Sequence, residues 1–251
     1  MMATRCESRD SWRDQREVRS MSSSHIKRLV MPRSWALPRK TSIWVQKPNP
    51  GGHSIENCMP LALILRDVLG VAHTRREAKR ILHSRQVMVD GMTETDGGRG
   101  VGLMDILTVG ENNYRCVLDT NGKLRYRLIH VRDSGSKTCR VMGKTTLRGG
   151  KTQLHLHDGR NLLMDDTSTY KSGDSVVISL PEQQISSHYP FREGALAYLT
   201  GGSHIGETAA VRGRDVKRSS KPNEVQFEEF HTIADYVFLI GSESDIPGAE
   251  S

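Results

Sequence analysis

The chain has 251 residues, 36% of them hydrophobic and 5% aromatic, with 23 glycines, 9 prolines and a net charge of +7. At about 150 residues per domain, this composition fits several small, turn-rich modules better than one thick core. No apolar run approaches the roughly 18 residues of a membrane span, and the charged N-terminus has no apolar h-region, so neither a transmembrane helix nor a secretory signal is read and a cytoplasmic address is expected.

The charge is localised. Residues 1–90 hold 17 Lys+Arg against 8 Asp+Glu, whereas residues 91–251 hold 19 against 21. Residues 1–20 read as a disordered extension or an over-called start, since Met21-Ser-Ser-Ser offers a second one. Residues 21–58 read as a basic extended arm, in which Lys27, Arg28, Arg33, Arg39, Lys40 and Lys47 are accompanied by no acid up to residue 55. A one-signed block repels itself unless a polyanion neutralises it. Nucleic acid and an anionic membrane are the candidates, and Pro32, Pro38, Pro48 and Pro50 interrupt the amphipathic helix that a membrane surface would require. Trp35 and Trp44 interleave with the cations and can either stack on bases or pin the arm to a neighbouring domain.

A helical pair follows, within a module assigned to residues 59–111. Pro60 suits a first helical position, and Leu61, Ile64, Leu65 and Val68 repeat at helical spacing up to Gly70. The second helix opens on the capping box Thr74/Glu77. Projection at about 100° per residue puts Arg75, Arg76, Lys79, Arg80 and His83 on one arc and Ala78, Ile81 and Leu82 on the other. Like charges four residues apart repel by a few tenths of a kcal/mol, a cost that phosphates would offset. After Arg85 the period changes to two in Gln86-Val-Met-Val-Asp90-Gly91-Met92-Thr, a strand pair joined by a turn of type I′ chemistry.

Residues 112–190 read as a central β domain. Strands are expected at Tyr114-Arg-Cys-Val-Leu118, Leu124-Arg-Tyr-Arg-Leu-Ile129, Gln153-Leu-His-Leu-His157, Arg160-Asn-Leu-Leu-Met164 and Ser175-Val-Val-Ile178, with turns at Asn121-Gly122 and Asp158-Gly159 and a stop at Pro181. Residues 191–241 read as a small barrel. Gly201, Gly202 and Gly206 punctuate a loop between two strands, Gly206 where positive φ or close backbone approach is needed, and Arg212, Arg214, Lys217 and Arg218 follow to meet a phosphate backbone. Thr232 to Gly241 reads as one closing strand, and residues 242–251 as an acidic disordered tail.

Catalytic and metal chemistry have no motif. Cys6, Cys58, Cys116 and Cys139 are scattered singly, so neither a structural zinc site nor disulfides are read. His155, His157 and Asp158 could present two imidazoles to a cation, but no third ligand has matching spacing. The glycines of residues 95–102 match neither a P-loop nor a dinucleotide fingerprint, and there is no G-x-S-x-G or H-E-x-x-H. No enzyme, cofactor or small-molecule substrate is therefore expected.

Two short helices, the second basic, followed by Val87-Met-Val-Asp90-Gly91 and Gly102-Leu-Met-Asp-Ile106, resemble the small RNA-binding module first named for bacterial ribosomal protein S-four. The segment from Gly194 to Val211 resembles the KOW motif of small barrels of the SH-three type. The flanks, His25-Ile-Lys-Arg-Leu29, Pro32 with Trp35, Arg39-Lys40, Pro48-Asn-Pro50-Gly51-Gly52-His53 and Met59-Pro-Leu61, are similar to the archaeal and eukaryotic small-subunit ribosomal protein four of the "e" type, with Gly51-Gly52 in place of Gly-Pro. This resemblance implies an α+β, mostly β protein that binds small-subunit rRNA beside neighbouring ribosomal proteins, without a membrane. Lys27, Arg28, Arg33, Trp35, Arg39, Lys40 and His53 of the arm, Arg75, Arg76, Lys79, Arg80, His83 and Arg85 of the helix region, and Arg212, Arg214, Lys217 and Arg218 of the barrel are the expected RNA contacts. A free RNA-modifying enzyme or a transcription-elongation adaptor would use the same modules.

Overall fold

The structure, a computed structural model, describes residues 24–164 and 169–241; the expectations for residues 1–20 and 242–251 fall outside them. The arm pairs β1 (His25–Lys27) with β2 (Trp44–Gln46), antiparallel. Next come β3 (Cys58–Pro60), α1 (Leu61–Leu63) and a π-helical continuation, Ile64–Val68, closed by Leu69 N–H donating to Ile64 O at 2.8 Å. α2 (Arg75–His83) has the capping box that its sequence predicts, with Glu77 N–H donating to Thr74 Oγ1 and Glu77 Oε2 accepting from Thr74 N–H. Both residues of the Asp90-Gly91 turn have positive φ, 51° and 78°, as type I′ geometry requires.

The first sheet runs in the order β5-β4-β7-β8-β9, formed by β4 (Val87–Val89), β5 (Met92–Thr93), β7 (Ile106–Val109), β8 (Asn112–Leu118) and β9 (Leu124–Ile129), while β6 (Gly100–Gly102) pairs with β3. β8 and β9, assigned from sequence to the central domain, join the sheet that β4, β5 and β7 form, because β8 pairs with β7 across the short Gly110-containing turn. One core joins α1, α2 and this sheet to Met31, Trp35, Leu37 and Val45 of the arm. Burying such side chains contributes roughly 1.5–3 kcal/mol each, which anchors the arm.

The central sheet has the order β12-β11-β10-β13-β14. Its middle strand, β10 (Ser136–Thr146), has no counterpart among the expected strands; β11 (Thr152–Leu156), β12 (Asn161–Met164), β13 (Ser175–Ser179) and β14 (Ile185–Tyr189) complete it. In the C-terminal barrel, β15 (Leu196–Leu199) lies between β16 (Thr208–Ala210) and β20 (Val237–Leu239), and β17 (Gly213–Asp215), β18 (Glu224–Gln226) and β19 (His231–Ile233) form a second sheet. The single closing strand expected from sequence is thus two strands, separated by a 3-10 turn over Ala234–Tyr236 so that each joins a different sheet.

Two close approaches lock these units together. A Cβ on Gly52 would lie 1.8 Å from Asp158 O, so the arm passes backbone-to-backbone over the β11–β12 turn. Gly206 has φ of +84°, and a Cβ there would lie 2.8 Å from Asp119 C, at the β8–β9 turn. Both demands stated for Gly206 from sequence are present. Tyr198 ties the same junction, its hydroxyl donating to Leu118 O at 2.7 Å and accepting from Leu118 N–H at 2.9 Å.

The central and helical units meet on a buried cation. Lys137 Nζ donates to Asp105 Oδ1 at 2.6 Å, Asp158 Oδ2 at 2.8 Å and Asp90 Oδ2 at 2.9 Å, and the side chain is fully inaccessible. Arg160 donates to Asp90 at 2.5 Å, and His53 Nε2 lies 3.0 Å from Asp105 Oδ2. With His53 protonated, three carboxylates face three cations. Burial by itself would lower the Lys137 pKa, but the surrounding carboxylates raise it well above its ordinary value. Burial would likewise raise that of Asp105, yet Lys137 and His53 hold it far below the usual carboxylate range. His157 is the opposite case: burial and the nearby Lys137 push its pKa down to about 4. Its ring is satisfied in neutral form, Nδ1 accepting from Arg140 N–H at 3.2 Å and Nε2 facing Leu103 O at 3.2 Å.

Lys137→Met is expected to cost about 3–5 kcal/mol in urea unfolding at neutral pH, because three buried carboxylates lose their shared cation. The pH dependence has a defined sign. A histidine whose folded pKa is depressed from 6.5 to about 4 withdraws stability as pH falls between those values, at about 1.4 kcal/mol per pH unit. His157→Gln, which can make both hydrogen bonds, should flatten that slope. The raised pKa of His53 works the other way, its contribution being complete below the unfolded value and lost as pH rises through the folded one. His53→Gln should accordingly steepen the loss on acidification.

Candidate nucleic-acid interface

The expected contact residues fall into three groups. On α2, Ala78 and Leu82 are buried while Arg75, Arg76, Lys79, Arg80 and His83 are exposed, as is Arg85 just beyond the helix. Among the described residues no carboxylate pairs with any of these six in an ion pair, although the neighbouring Arg66 and Arg99 do have acidic partners, Asp67 and Glu94. A row of cations on one helical face, without a carboxylate partner among the described residues, is an electrostatic surface for phosphates.

In the arm, Lys27, Arg33 and Lys40 are exposed and Arg39 is half-buried, its Nη1 donating to Leu29 O at 2.9 Å. Three arm residues are placed inside instead. Arg28 is 6% exposed and spends its guanidinium on Pro38 O and Ser42 Oγ. Trp35 is 1% exposed, and its Nε1–H donates to Cys58 O at 2.7 Å, so this ring pins the arm and offers no face to a base. Trp44, 53% exposed and edge-on to His25 at 4.8 Å, is the accessible ring. His53 belongs to the buried network around Lys137.

In the barrel, Arg212, Arg214 and Arg218 are exposed, whereas half-buried Lys217 is committed to Glu224. The loop glycines serve packing. A Cβ on Gly201 would strike the Tyr236 ring at 2.6 Å, Gly202 has φ of +90°, and Gly206 sits on the β8–β9 turn.

Two cavities gather cations from different units. One, of about 910 Å³, is lined by Arg33, Arg39 and Arg140; the other, of about 430 Å³, by Arg140, Arg214, Lys217 and Lys221. Arg140 and Lys221 were absent from the sequence-derived set. Arg140 lies on β10, where Lys137 at an inward position disrupts the alternation that would have marked the strand. The buried network likewise had no local signal, since its members are separated by as many as 107 positions in the chain, from His53 to Arg160.

Cys139, His157 and Asp158 bring ligand-type atoms within 4.8 Å of one another. They do not fit a cation. Both His157 nitrogens are engaged, Asp158 is held by Lys137, and burial pushes the Cys139 thiol well up so that it stays protonated and donates to Asp158 at 3.7 Å. His155 is equally committed, to Thr145 Oγ1 and Asn161 Oδ1.

Residues 21–56 match the RS4NT (NUC023) domain, and residues 110–185 match Ribosomal family S4e. A small ribosomal subunit protein eS4 of Methanocella arvoryzae is 43% identical over 230 residues, covering 89% of this chain and 97% of its own. That of Methanothermobacter thermautotrophicus is 40% identical over 232 residues, covering 90% and 95%. The crystal structure of the 30S ribosomal protein S4e from Thermoplasma acidophilum superposes with a TM-score of 0.67 at 35% identity, over 74% of this chain and 96% of that one. With this identity sustained along both chains, and with the same mostly β architecture, the protein belongs to the S4e family of ribosomal proteins.

Proposed function

We propose that the chain is a structural constituent of the small ribosomal subunit, in the cytoplasm, that binds rRNA and supports subunit assembly and translation without catalysing a reaction. Family membership over nine-tenths of the chain carries this reading, because the relatives reported above are named as small-subunit proteins. The unneutralised face of α2 supports it physically: Arg75, Arg76, Lys79 and Arg80 offer four charges to backbone phosphates from a helix whose opposite face is locked into the core. Lys27, Arg33, Lys40, Arg85, Arg212 and Arg218 extend the exposed positive surface beyond that helix. Neighbouring ribosomal proteins are the expected protein partners. RNA modification or a role in transcription elongation would use the same modules, but neither appears in the names of those relatives.

The chain should remain with small subunits through sedimentation at high salt; recovery in the unbound fraction, where other ribosomal proteins stay bound, would refute the reading. Replacing Arg75, Arg76, Lys79 and Arg80 by Gln should weaken binding to structured rRNA fragments. It should also flatten the dependence of log affinity on log salt, by on the order of one per lost phosphate contact. An unchanged slope would show that this face is merely solvated.

A further inference from the structure

The two cavities share a wall. Arg140, Met142 and Asp235 line both, so a continuous surface runs from Arg33 and Arg39 at the arm to Arg214 and Lys221 in the barrel. Arg140, Arg214, Lys217 and Lys221 line the smaller cavity together with Asp235. Lys217 is held by Glu224, and Arg140 Nη2 lies 3.7 Å from Asp235 Oδ1. Arg214 and Lys221 are exposed and in no ion pair among the described residues. Arg214 is positioned by the Phe191 ring, 5.1 Å from its guanidinium carbon, which orients the charge without neutralising it.

Arg140 approaches from the central unit. Its Nη1 and Nη2 donate to the carbonyls of Asp235 and Ala234, while its Nε is buried with no partner among the described residues. Burial lowers its pKa; Asp235 opposes that shift and the like charge of Arg214 adds to it. Two guanidinium groups from separate units, repelling each other across a cavity, form an arrangement that an anion relieves. Apolar surface lies beside it. Met142, which lines both cavities, is 56% exposed, and Tyr236, which lines the larger, is 38% exposed. Such surface takes bases only when they are unstacked, because a duplex keeps base faces covered.

We infer that the joined cavities hold an unpaired RNA segment, its phosphates at Arg140, Arg214 and Lys221 and toward Arg33 and Arg39, its bases against Tyr236 and Met142. This rests on the reading of the protein as an RNA binder and adds where it takes an unpaired strand. It also separates two surfaces: the α2 stripe, which lines neither cavity, for helical RNA, and this cleft for a single strand.

The test uses the full chain with an oligouridylate of roughly 12 nucleotides and an RNA duplex of matched length. Arg214→Gln together with Lys221→Gln should weaken oligouridylate binding by about tenfold and lower its salt slope by about 1.4, some 0.7 per phosphate contact, with a smaller effect on the duplex. The α2 stripe variant should show the reverse preference. Equal losses on both probes, or no loss on the oligouridylate, would overturn the inference. Crosslinking of 4-thiouridine oligonucleotide to the unsubstituted chain gives an answer independent of any variant: adducts are expected on the peptides holding Met142 or Tyr236, and adducts confined to residues 40–47 or 75–85, which line neither cavity, would refute the cleft. Failure of the cleft leaves co-sedimentation with small subunits intact, whereas a chain that binds the strand but not the subunit would sink the ribosomal reading alone.

Discussion

The structure turns on one buried ammonium group. Lys137 Nζ has three N–H donors and meets three carboxylates, Asp90 from the β4–β5 turn, Asp105 from the β6–β7 connection and Asp158 from the β11–β12 turn. Each carboxylate is further held: Asp90 by Ile106 N–H, Asp105 by Gly102 N–H and His53, Asp158 by Arg160 N–H. Desolvating this many charges is costly, and the attraction between them offsets the cost only because nearly every donor and acceptor finds a partner. Such a cluster tolerates little displacement. It therefore specifies how the central sheet sits on the helical module more sharply than apolar packing could, since apolar contacts are non-directional.

The consequences spread outward from that contact. The turn carrying Asp158 is the one that Gly52 crosses without room for a Cβ, so the position of Lys137 also sets the course of the arm. Arg140, three residues along β10, reaches the carbonyls of Ala234 and Asp235 and so relates the central sheet to the barrel. The barrel is held to the helical module by Tyr198 and by the core of Leu103, Met104, Val117, Phe238 and Ile240. Surface chemistry follows from this frame. Cations held inside, as Arg28, His53 and Lys137 are, serve cohesion; exposed ones without a carboxylate partner among the described residues, as along α2, remain available to an external polyanion.

Local chemistry was legible in the chain. The Thr74/Glu77 capping box, the two-faced α2, the positive-φ turn at Asp90-Gly91 and the β8–β9 and β11–β12 hairpins all rest on interactions within a few residues, and all are present. The strip of exposed helix cations was equally visible, because helical periodicity alone separates the faces. Strand β10 was not, since its inward positions include Lys137 and its pattern does not alternate cleanly. The closing segment looked like one apolar strand, and only pairing with two different sheets reveals the break at Ala234–Tyr236.

By itself, then, the sequence determined the kind of protein: a mostly β chain with a basic helical module and family motifs in order, its charge concentrated in the first third. Only the tertiary structure decided which polar residues face inward. Trp35 and Trp44 are indistinguishable in composition and context, yet one donates to Cys58 O in the core and the other lies open. Asp90, Asp105 and Asp158 lie in three separate connections, and only the fold gathers them on one lysine. The physical reason is range. Capping, turn and periodicity signals act over a few neighbouring residues, whereas burial of a charge depends on partners brought from distant parts of the chain, and these exist as partners only once the sheets have met.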